Sequence, residues 1–199
     1  MFSGIVESVQ PILSTEKGHG ALRISIRRPS EFNDITTGDS IAFNGVCLTV
    51  ESCAEADKMT FALAAETLQV LAWTEGSNLV GKKVNLERSL RFGDRIHGHL
   101  VTGHVDSLGK VQFLEKQGES LLMDVEVASS VLPYVWKKGS VTLNGVSLTV
   151  NQVSGSVVSV CLIPETRKRT NLGDLSPGDL INVEPDYMAR ALMRGMETG

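Results

Sequence analysis

Two stretches of the chain decide its fold: SIAFNGVCLTV at residues 40–50 and SVTLNGVSLTV at residues 140–150. They lie 100 positions apart and share seven of eleven residues. Three further pairs of segments match in the same order: SGIVE at 3–7 with TGHVD at 102–106, AAET at 64–67 with IPET at 163–166, and 81–87 with 178–184. A repeat of about 100 residues has the size of a domain. The sequence therefore predicts two homologous domains, 1–97 and 98–187, and a tail, 188–199.

The same stretches predict the type of secondary structure. Val46, Leu48 and Val50 alternate with Cys47 and Thr49, which is the period of a half-buried strand. An Asn-Gly pair begins this pattern in both stretches, and it favours a tight hairpin because both residues tolerate a positive φ. About six short strands in each domain favour a closed barrel, which has no unpaired edge. We therefore expect an all-β fold of two tandem barrels.

Helical patterns are scarce. Residues 66–73 and 129–136 predict short helices, and residues 188–196 predict a C-terminal α-helix with Met188, Ala191 and Leu192 on one face. An apolar helix face needs a surface to pack on, so we expect this face to contact a partner chain.

Composition excludes several classes of protein. The 199 residues carry 19 basic and 23 acidic side chains, and aromatic residues make up 5%, which argues against any nucleic-acid partner. Residues 1–7 do not form a signal peptide. The longest uncharged run, 141–164, is too polar for a membrane helix and predicts two strands joined at Ser154-Gly155. Three cysteines without a Cys-x-x-Cys motif fit a reducing compartment, so we expect a cytoplasmic protein with no membrane partner.

The repeated strand carries the candidate chemistry. Cys47 and Thr49 point to one side of their strand, and Ser147 and Thr149 point to the same side of theirs. These polar pairs form either a hydrated outer surface or a cleft that binds a polar, planar ligand. Their recurrence at the same place in both halves would then indicate two copies of one ligand.

Three histidines cluster in the sequence at His97, His99 and His104. On a strand, His97 and His99 would share a face, as a metal-binding pair does. No cysteine or carboxylate at ligand spacing joins them, and zinc sites usually have three or four ligands. We therefore expect no metal and interpret these histidines as structural or as contacts to a substrate; the role of His97 stays open.

Over essentially its whole length the chain resembles the riboflavin synthase family. The segments that carry the resemblance are MFSGIV at 1–6, NGVCLTV at 44–50, VNLER at 84–88, GHLVTGHVD at 98–106, NGVSLTV at 144–150 and IPET at 163–166. The resemblance implies two six-stranded Greek-key barrels, a homotrimer held by the C-terminal helix, and no cofactor. It implies a reaction in which two molecules of 6,7-dimethyl-8-ribityllumazine yield riboflavin and 5-amino-6-ribitylaminouracil. It leaves an association with lumazine synthase open.

The resemblance also implies a lumazine half-site on each barrel, with Phe2 beside the first. The N-terminal half-site would use Gly4, Ile5, Val6, Ser40, Cys47, Leu48, Thr49, Ala62, Leu63, Ala64, Ala65, Glu66 and Thr67. The C-terminal half-site would use Gly103, His104, Val105, Lys138, Ser147, Leu148, Thr149, Leu162, Ile163, Pro164, Glu165 and Thr166. In the family, the N-terminal barrel of one subunit faces the C-terminal barrel of another, and the two lumazines stack between them.

Four residues are expected to be sensitive in catalysis: Ser40, Cys47, His104 and Asp186. A Cys47 thiolate would be a better nucleophile than a serine hydroxyl and could add reversibly to C7 of a lumazine, and a nearby water or a ribityl hydroxyl is an alternative nucleophile. His104 suits a proton carrier because histidine titrates near neutral pH. Asp186 matches an acidic residue that reaches the partner's site in the family. The alternative for each residue is ligand positioning without proton transfer.

Two other classes of protein compete with the enzyme. A non-catalytic antenna protein of luminous bacteria keeps one ligand site and degrades the other, whereas this chain keeps Cys47-Leu48-Thr49 and Ser147-Leu148-Thr149 alike. A flavoprotein reductase would need an α/β nicotinamide-binding domain, and no residues remain for one. The sequence therefore favours the enzyme.

Overall fold

The computed structural model describes residues 1–18, 21–53, 57–71 and 78–197. The first half forms a closed barrel with the strand order β1-β2-β5-β4-β3-β6, in which β6 pairs with β1. Its strands are β1 (Ser8–Gly18), β2 (Ala21–Arg27), β3 (Ser40–Phe43), β4 (Val46–Ser52), β5 (Lys58–Ala64) and β6 (Lys83–Arg88).

The second half repeats this architecture. Its strands are β7 (Ser107–Gln117), β8 (Ser120–Glu126), β9 (Ser140–Leu143), β10 (Val146–Ser154), β11 (Val157–Leu162) and β12 (Leu180–Pro185). They close in the order β10-β11-β8-β7-β12-β9. In each barrel three hairpin-connected strands are followed by a fourth that returns beside the first of them, which is a Greek key. The expected all-β fold of two six-stranded barrels is confirmed.

The Asn-Gly turns form tight hairpins, as predicted. Asn44 and Gly45 both have positive φ values, 48° and 80°, and Asn144 and Gly145 repeat them at 45° and 79°. The two turns meet back to back, since a Cβ added to Gly45 would lie 2.7 Å from the backbone nitrogen of Gly145. The barrels are therefore joined at the repeated turns, with equivalent residues facing each other.

Buried asparagines connect the two barrels around these turns. The Asn85 side-chain amide donates to the Asn144 carbonyl, and the Asn182 amide donates to the Asn44 carbonyl, both at 2.8 Å. Asn171 Nδ2 donates to Asn44 Oδ1 at 3.0 Å. Buried polar groups are stable only when they are hydrogen-bonded, so this network fixes how the barrels sit on each other.

The structure corrects the sequence interpretation of several elements. Residues 141–164 contribute to three strands, β9, β10 and β11, although the predicted turn at Ser154-Gly155 does separate the last two. The predicted helix at 66–73 is α1 (Ala65–Val70), and residues 72 and 73 lie outside the described part of the chain. Within 129–136 only a 3₁₀ turn forms, at Leu132–Tyr134. A short helix that was not predicted, α2 (Pro164–Arg169), follows β11.

The predicted C-terminal helix is α3 (Tyr187–Glu197). Ala189 is buried, and Arg190 forms an ion pair with Asp106. Met188, Leu192 and Met196 lie one helical turn apart, and their side chains are 51%, 68% and 79% exposed. One side of α3 is therefore anchored to the second barrel and the other presents an apolar stripe to solvent. None of the helices in the described ranges is both long and apolar enough to cross a membrane.

Candidate functional site

The strands β4 and β10 present matched polar side chains on the outside of their barrels. Val46, Leu48 and Val50 are buried in the first core, whereas Cys47 is half-buried and Thr49 is exposed. Strand β10 shows the same pattern, with Ser147 half-buried and Thr149 exposed. The predicted alternation is confirmed in both halves.

The neighbouring strand completes each outer surface. Strand β4 pairs with β5 through Val50 and Phe61, and β10 pairs with β11 through Val150 and Val160. Since side chains alternate along a strand, the outward residues form two equivalent surfaces. We name these the N-terminal face (Cys47, Thr49, Ala62 and Ala64) and the C-terminal face (Ser147, Thr149, Cys161 and Ile163). Cys161 was not among the expected site residues, although the alternation of β11 would have indicated it.

Each face is bordered by a segment that crosses from the other half of the chain. We call residues 2–6 and 101–105 the crossing segments. The Cys47 amide donates to the Gly103 carbonyl, and the Ser147 amide donates to the Gly4 carbonyl, both at 2.8 Å. Val105 packs against the first core and Val6 lies within the second. The structure thus reverses the expected placement, because Gly4-Ile5-Val6 borders the C-terminal face and Gly103-His104-Val105 borders the N-terminal face.

Close approach explains why glycine stands in both crossing segments. Gly4 and Gly103 have φ values of 75° and 81°, a region that side chains disfavour. A Cβ on Gly4 would lie 2.6 Å from the Ser147 Cβ, and a Cβ on Gly103 would lie 2.6 Å from the Cys47 Cβ. The contact between each crossing segment and its strand is therefore possible only with glycine.

The two faces differ in chemistry. Beside Cys47 lie the apolar side chains of Phe2, Ala42 and Val101. At the C-terminal face Ser147 Oγ instead lies 2.7 Å from Nδ1 of His99, and Thr142 Oγ1 lies 3.1 Å from Nε2 of the same ring. The first half therefore presents a thiol in apolar surroundings, whereas the second presents a hydroxyl linked to a histidine.

His99 was not among the expected site residues, although its place in the histidine cluster was noted. Burial lowers the pKa of His99 and the charge of Asp186 opposes this shift, so the neutral imidazole is favoured. Residues 97–99 are not in a strand and His97 is exposed, so the shared face that a strand would give His97 and His99 does not form. In the described ranges no group of three or more potential metal ligands is close enough to hold an ion.

The expected catalytic residues do not form one cluster within the chain. Ser40 pairs across strands with Thr49, which places it at the N-terminal face with Cys47. His104 follows Gly103 in the crossing segment and is exposed. Asp186 belongs to the other half, where its Oδ1 accepts a hydrogen bond from the Met188 amide at the start of α3. Lys138, in the turn before β9, is exposed and has a φ of 72°.

Several expected site residues are buried instead. The side chains of Leu63 and Leu162 are fully buried, and those of Val6, Leu48 and Leu148 are at most 8% exposed; all five lie in the cores. Only their backbone groups are available to a ligand. The remaining expected residues are the exposed Ile5, Ala65, Glu66, Ile163, Pro164 and Glu165, the half-buried Thr67 and Thr166, and the fully buried Phe2.

Backbone donors lie beside both faces where a helix follows a strand. Helices α1 and α2 begin after Ala64 and Ile163, and neither of these residues caps the helix with its side chain. The first N–H groups of a helix have no partner within it. Each face is therefore adjacent to N–H groups, at Glu66-Thr67 and Glu165-Thr166, that have no partner within their helix and that suit the carbonyl oxygens of a planar heterocycle.

A buried carboxylate holds each crossing segment. Glu87 accepts hydrogen bonds from the Ser3 amide, the Ser3 hydroxyl and the Gly4 amide, and Glu184 accepts the equivalent three from Thr102 and Gly103. Burial raises the pKa of Glu87 to about 7, although these hydrogen bonds oppose the shift. It also raises the pKa of Glu184. A charged groove of about 780 Å³ adjoins this part of the molecule; its lining includes Ser3, Ile5, Glu87, Arg88, Arg91 and Asp94.

Comparisons with known proteins agree with this organisation. A model of the lumazine binding domain matches the chain twice, at residues 3–89 and 102–186. The riboflavin synthase of Photobacterium leiognathi is 38% identical over 96% of this chain and 87% of that protein. The riboflavin synthase of Mycobacterium bovis is 38% identical over 100% of this chain and 99% of that protein. The crystal structure of LumP complexed with riboflavin has a TM-score of 0.84 and 25% identity, over 93% of this chain and 99% of LumP. The chain belongs to the riboflavin synthase family.

Proposed function

We propose that the protein catalyses the dismutation of two 6,7-dimethyl-8-ribityllumazine molecules to riboflavin and 5-amino-6-ribitylaminouracil. One observation carries the proposal: a single chain offers two equivalent outer faces, at Cys47-Thr49 and at Ser147-Thr149, with the same glycine contact at each. A reaction between two identical molecules needs two such faces. It moves a four-carbon unit from one lumazine to the other, so atoms balance without an external oxidant or cofactor.

The difference between the faces suits the unequal fates of the two substrates. Both lumazines start with the same skeleton, but one gains four carbons and the other loses them. The thiol of Cys47 is a candidate for reversible addition at C7, whereas Ser147 and His99 form a chain of hydrogen bonds that accepts or returns a proton. Ser40 and His104 border the first face and are proposed to orient and deprotonate the substrate there.

Holding the two lumazines together supplies much of the rate enhancement. Alignment of two reactants removes up to about 7–11 kcal/mol from a barrier. We propose that the N-terminal face of one subunit meets the C-terminal face of another in a homotrimer, so that each catalytic site is shared. Asp186, at the start of α3 and near His99, would then contribute to a site that includes the partner's Cys47.

The exposed stripe of α3 supports the trimer. Met188, Leu192 and Met196 occupy successive turns on the side of the helix that faces solvent, and exposed apolar surface of this kind marks interaction sites. We propose that three copies of α3 pack together, and that the chain divides into barrels at 1–97 and 98–187 and a tail at 188–199 that carries all of α3 except its first residue. We further propose a cytoplasmic protein with no nucleic-acid, membrane or metal partner, and we leave association with lumazine synthase open.

The test is to incubate the purified protein with 6,7-dimethyl-8-ribityllumazine and a metal chelator and to follow absorbance. Appearance of riboflavin is the expected result. Binding of lumazine without turnover would instead support the antenna class of protein, and ligand titration would then give one site per chain rather than two.

A further inference from the structure

We propose that Glu87 and Glu184 are crossed positioning residues: each carboxylate, on the last strand of one barrel, holds the backbone that borders the ligand face of the other barrel. This inference deepens the proposed function, on which it rests for the identity of the ligand. The arrangement of hydrogen bonds on which it depends is independent of any ligand.

The first connection begins in the N-terminal barrel and ends at the C-terminal face. Glu87, on β6, is 5% exposed. Its Oε1 accepts from the Ser3 amide at 2.7 Å and from the Ser3 hydroxyl at 2.9 Å, and its Oε2 accepts from the Gly4 amide at 3.0 Å. The carbonyl of Gly4 in turn accepts from the amide of Ser147. Glu87 therefore fixes the peptide that contacts Ser147.

The second connection begins in the C-terminal barrel and ends at the N-terminal face. Glu184, on β12, is 2% exposed. Its Oε1 accepts from the Thr102 amide at 2.8 Å and the Thr102 hydroxyl at 2.6 Å, and its Oε2 accepts from the Gly103 amide at 3.1 Å. The Gly103 carbonyl accepts from the amide of Cys47. Glu184 therefore fixes the peptide that contacts Cys47, together with the His104 that follows it.

The chemistry of the carboxylate explains why glutamate is needed at both positions. Each crossing segment offers three donors, two N–H groups and one hydroxyl, to a buried group with two oxygens. A carboxylate accepts on both oxygens. A glutamine has the same shape but only one oxygen, so its NH₂ would point at one of the donors and leave a buried donor without a partner. The crossing segment would then loosen from its strand.

The experiment compares Glu184→Gln with Glu87→Gln in the full-length protein and uses Glu126→Gln as control, because Glu126 is exposed and bonds Gln112 on the barrel surface. Amide hydrogen exchange is measured first, without ligand and above pH 7, where the Glu87 carboxylate is mainly ionised and accepts on both oxygens. In Glu184→Gln, exchange at Cys47 should accelerate at least tenfold while exchange at Ser147 stays within twofold. Glu87→Gln should show the reverse, and the control should change neither amide.

The second readout is the lumazine concentration that protects Cys47 from alkylation by half. A loss of overall stability would change this concentration in both variants, whereas a positioning role predicts a change in Glu184→Gln alone. Glu184→Gln should raise the half-protecting lumazine concentration at least fivefold, and Glu87→Gln should leave it unchanged. The inference would be overturned if Glu184→Gln accelerated exchange at Ser147 and Glu87→Gln at Cys47, or if both variants changed both amides equally. If lumazine fails to protect Cys47 in the unmodified protein, the proposed function fails, and the exchange pattern still decides the positioning roles.

Discussion

Replacing Gly103 by alanine tests the crossing segments most sharply, because the chain supplies a matched control. Gly81, in the turn before β6, has nearly the same φ, 84° against 81° for Gly103. A Cβ on Gly81 would meet nothing within 4 Å, whereas one on Gly103 would lie 2.6 Å from the Cys47 Cβ and 2.8 Å from the Cys47 nitrogen. Both variants place a Cβ at a positive φ, and they differ in how crowded that Cβ would be.

The expected magnitudes follow from this geometry. The left-handed conformation costs an alanine about 1–2 kcal/mol, which is the whole loss expected for Gly81→Ala. In Gly103→Ala, carbon atoms normally about 3.5–4.0 Å apart must separate by about 1 Å. That movement breaks the Cys47–Gly103 hydrogen bond, worth about 1 kcal/mol, and overpacking adds about 1–3 kcal/mol. Gly103→Ala should therefore be about 2–4 kcal/mol less stable than Gly81→Ala.

Denaturant unfolding at equal protein concentration measures the stabilities, and riboflavin formation measures activity. Gly81→Ala should retain its turnover, whereas Gly103→Ala should lose at least tenfold, because a shift of about 1 Å in a catalytic group costs about a hundredfold. Equal stability and equal turnover for the two variants would refute the view that Gly103 supports the N-terminal face by close contact.

Three further predictions use other features of the structure. Cys47→Ala or Ser40→Ala should lower the turnover number more than tenfold while gel filtration shows an unchanged oligomer; near-normal rates in both would remove the proposed catalytic roles. Deletion of residues 187–199 should yield monomers without activity, and sedimentation that shows intact trimers would contradict this. Since the pKa of Glu87 rises from 4.5 to about 7 on folding, the folded state alone keeps that proton between these pH values. Protonation of Glu87 should therefore contribute most to the unfolding free energy below pH 4.5, and this contribution should fall by about 3 kcal/mol as the pH rises from 4.5 through 7. The Glu87→Gln variant should show a flatter fall. Parallel pH profiles for the variant and the unmodified protein would argue against this assignment.

Much of the fold could be predicted because local and global signals agree. Val46, Leu48 and Val50 alternate with polar residues, Asn44-Gly45 tolerates the required positive φ, and both patterns recur 100 residues later. Each of these signals lies within about ten residues, where sequence patterns are most informative. The outward direction of Cys47 and Ser147 followed from the same alternation.

The crossing of the N-terminal segments could not be predicted from the repeat. Residues 3–7 and 102–106 match each other, so exchanging them between the barrels leaves the repeat unchanged. The sequence is consequently compatible with two arrangements, one in which each segment packs on the barrel of its own half and one in which it packs on the barrel of the other half. Only the contacts of Gly4 with Ser147 and of Gly103 with Cys47 distinguish the two arrangements.

The role of His99 was hidden for a different reason. It meets Thr142 and Ser147, which lie more than 40 residues away, and the equivalent of Thr142 in the first half is Ala42. A comparison of the repeats therefore shows that the halves differ there but not what Thr142 contacts.

Leu63 and Leu162 were expected in the site because whole segments were carried over from the family, whereas strand alternation would have placed their side chains in the cores.

A mass balance tests the central claim, that one chain binds two identical lumazines and transfers four carbons between them. The purified protein is incubated with 6,7-dimethyl-8-ribityllumazine alone, and substrate and both products are quantified by chromatography through the reaction. The account predicts one riboflavin and one 5-amino-6-ribitylaminouracil for every two lumazines consumed. Bound lumazine that is never consumed, or riboflavin formed without an equal amount of the uracil, would contradict it.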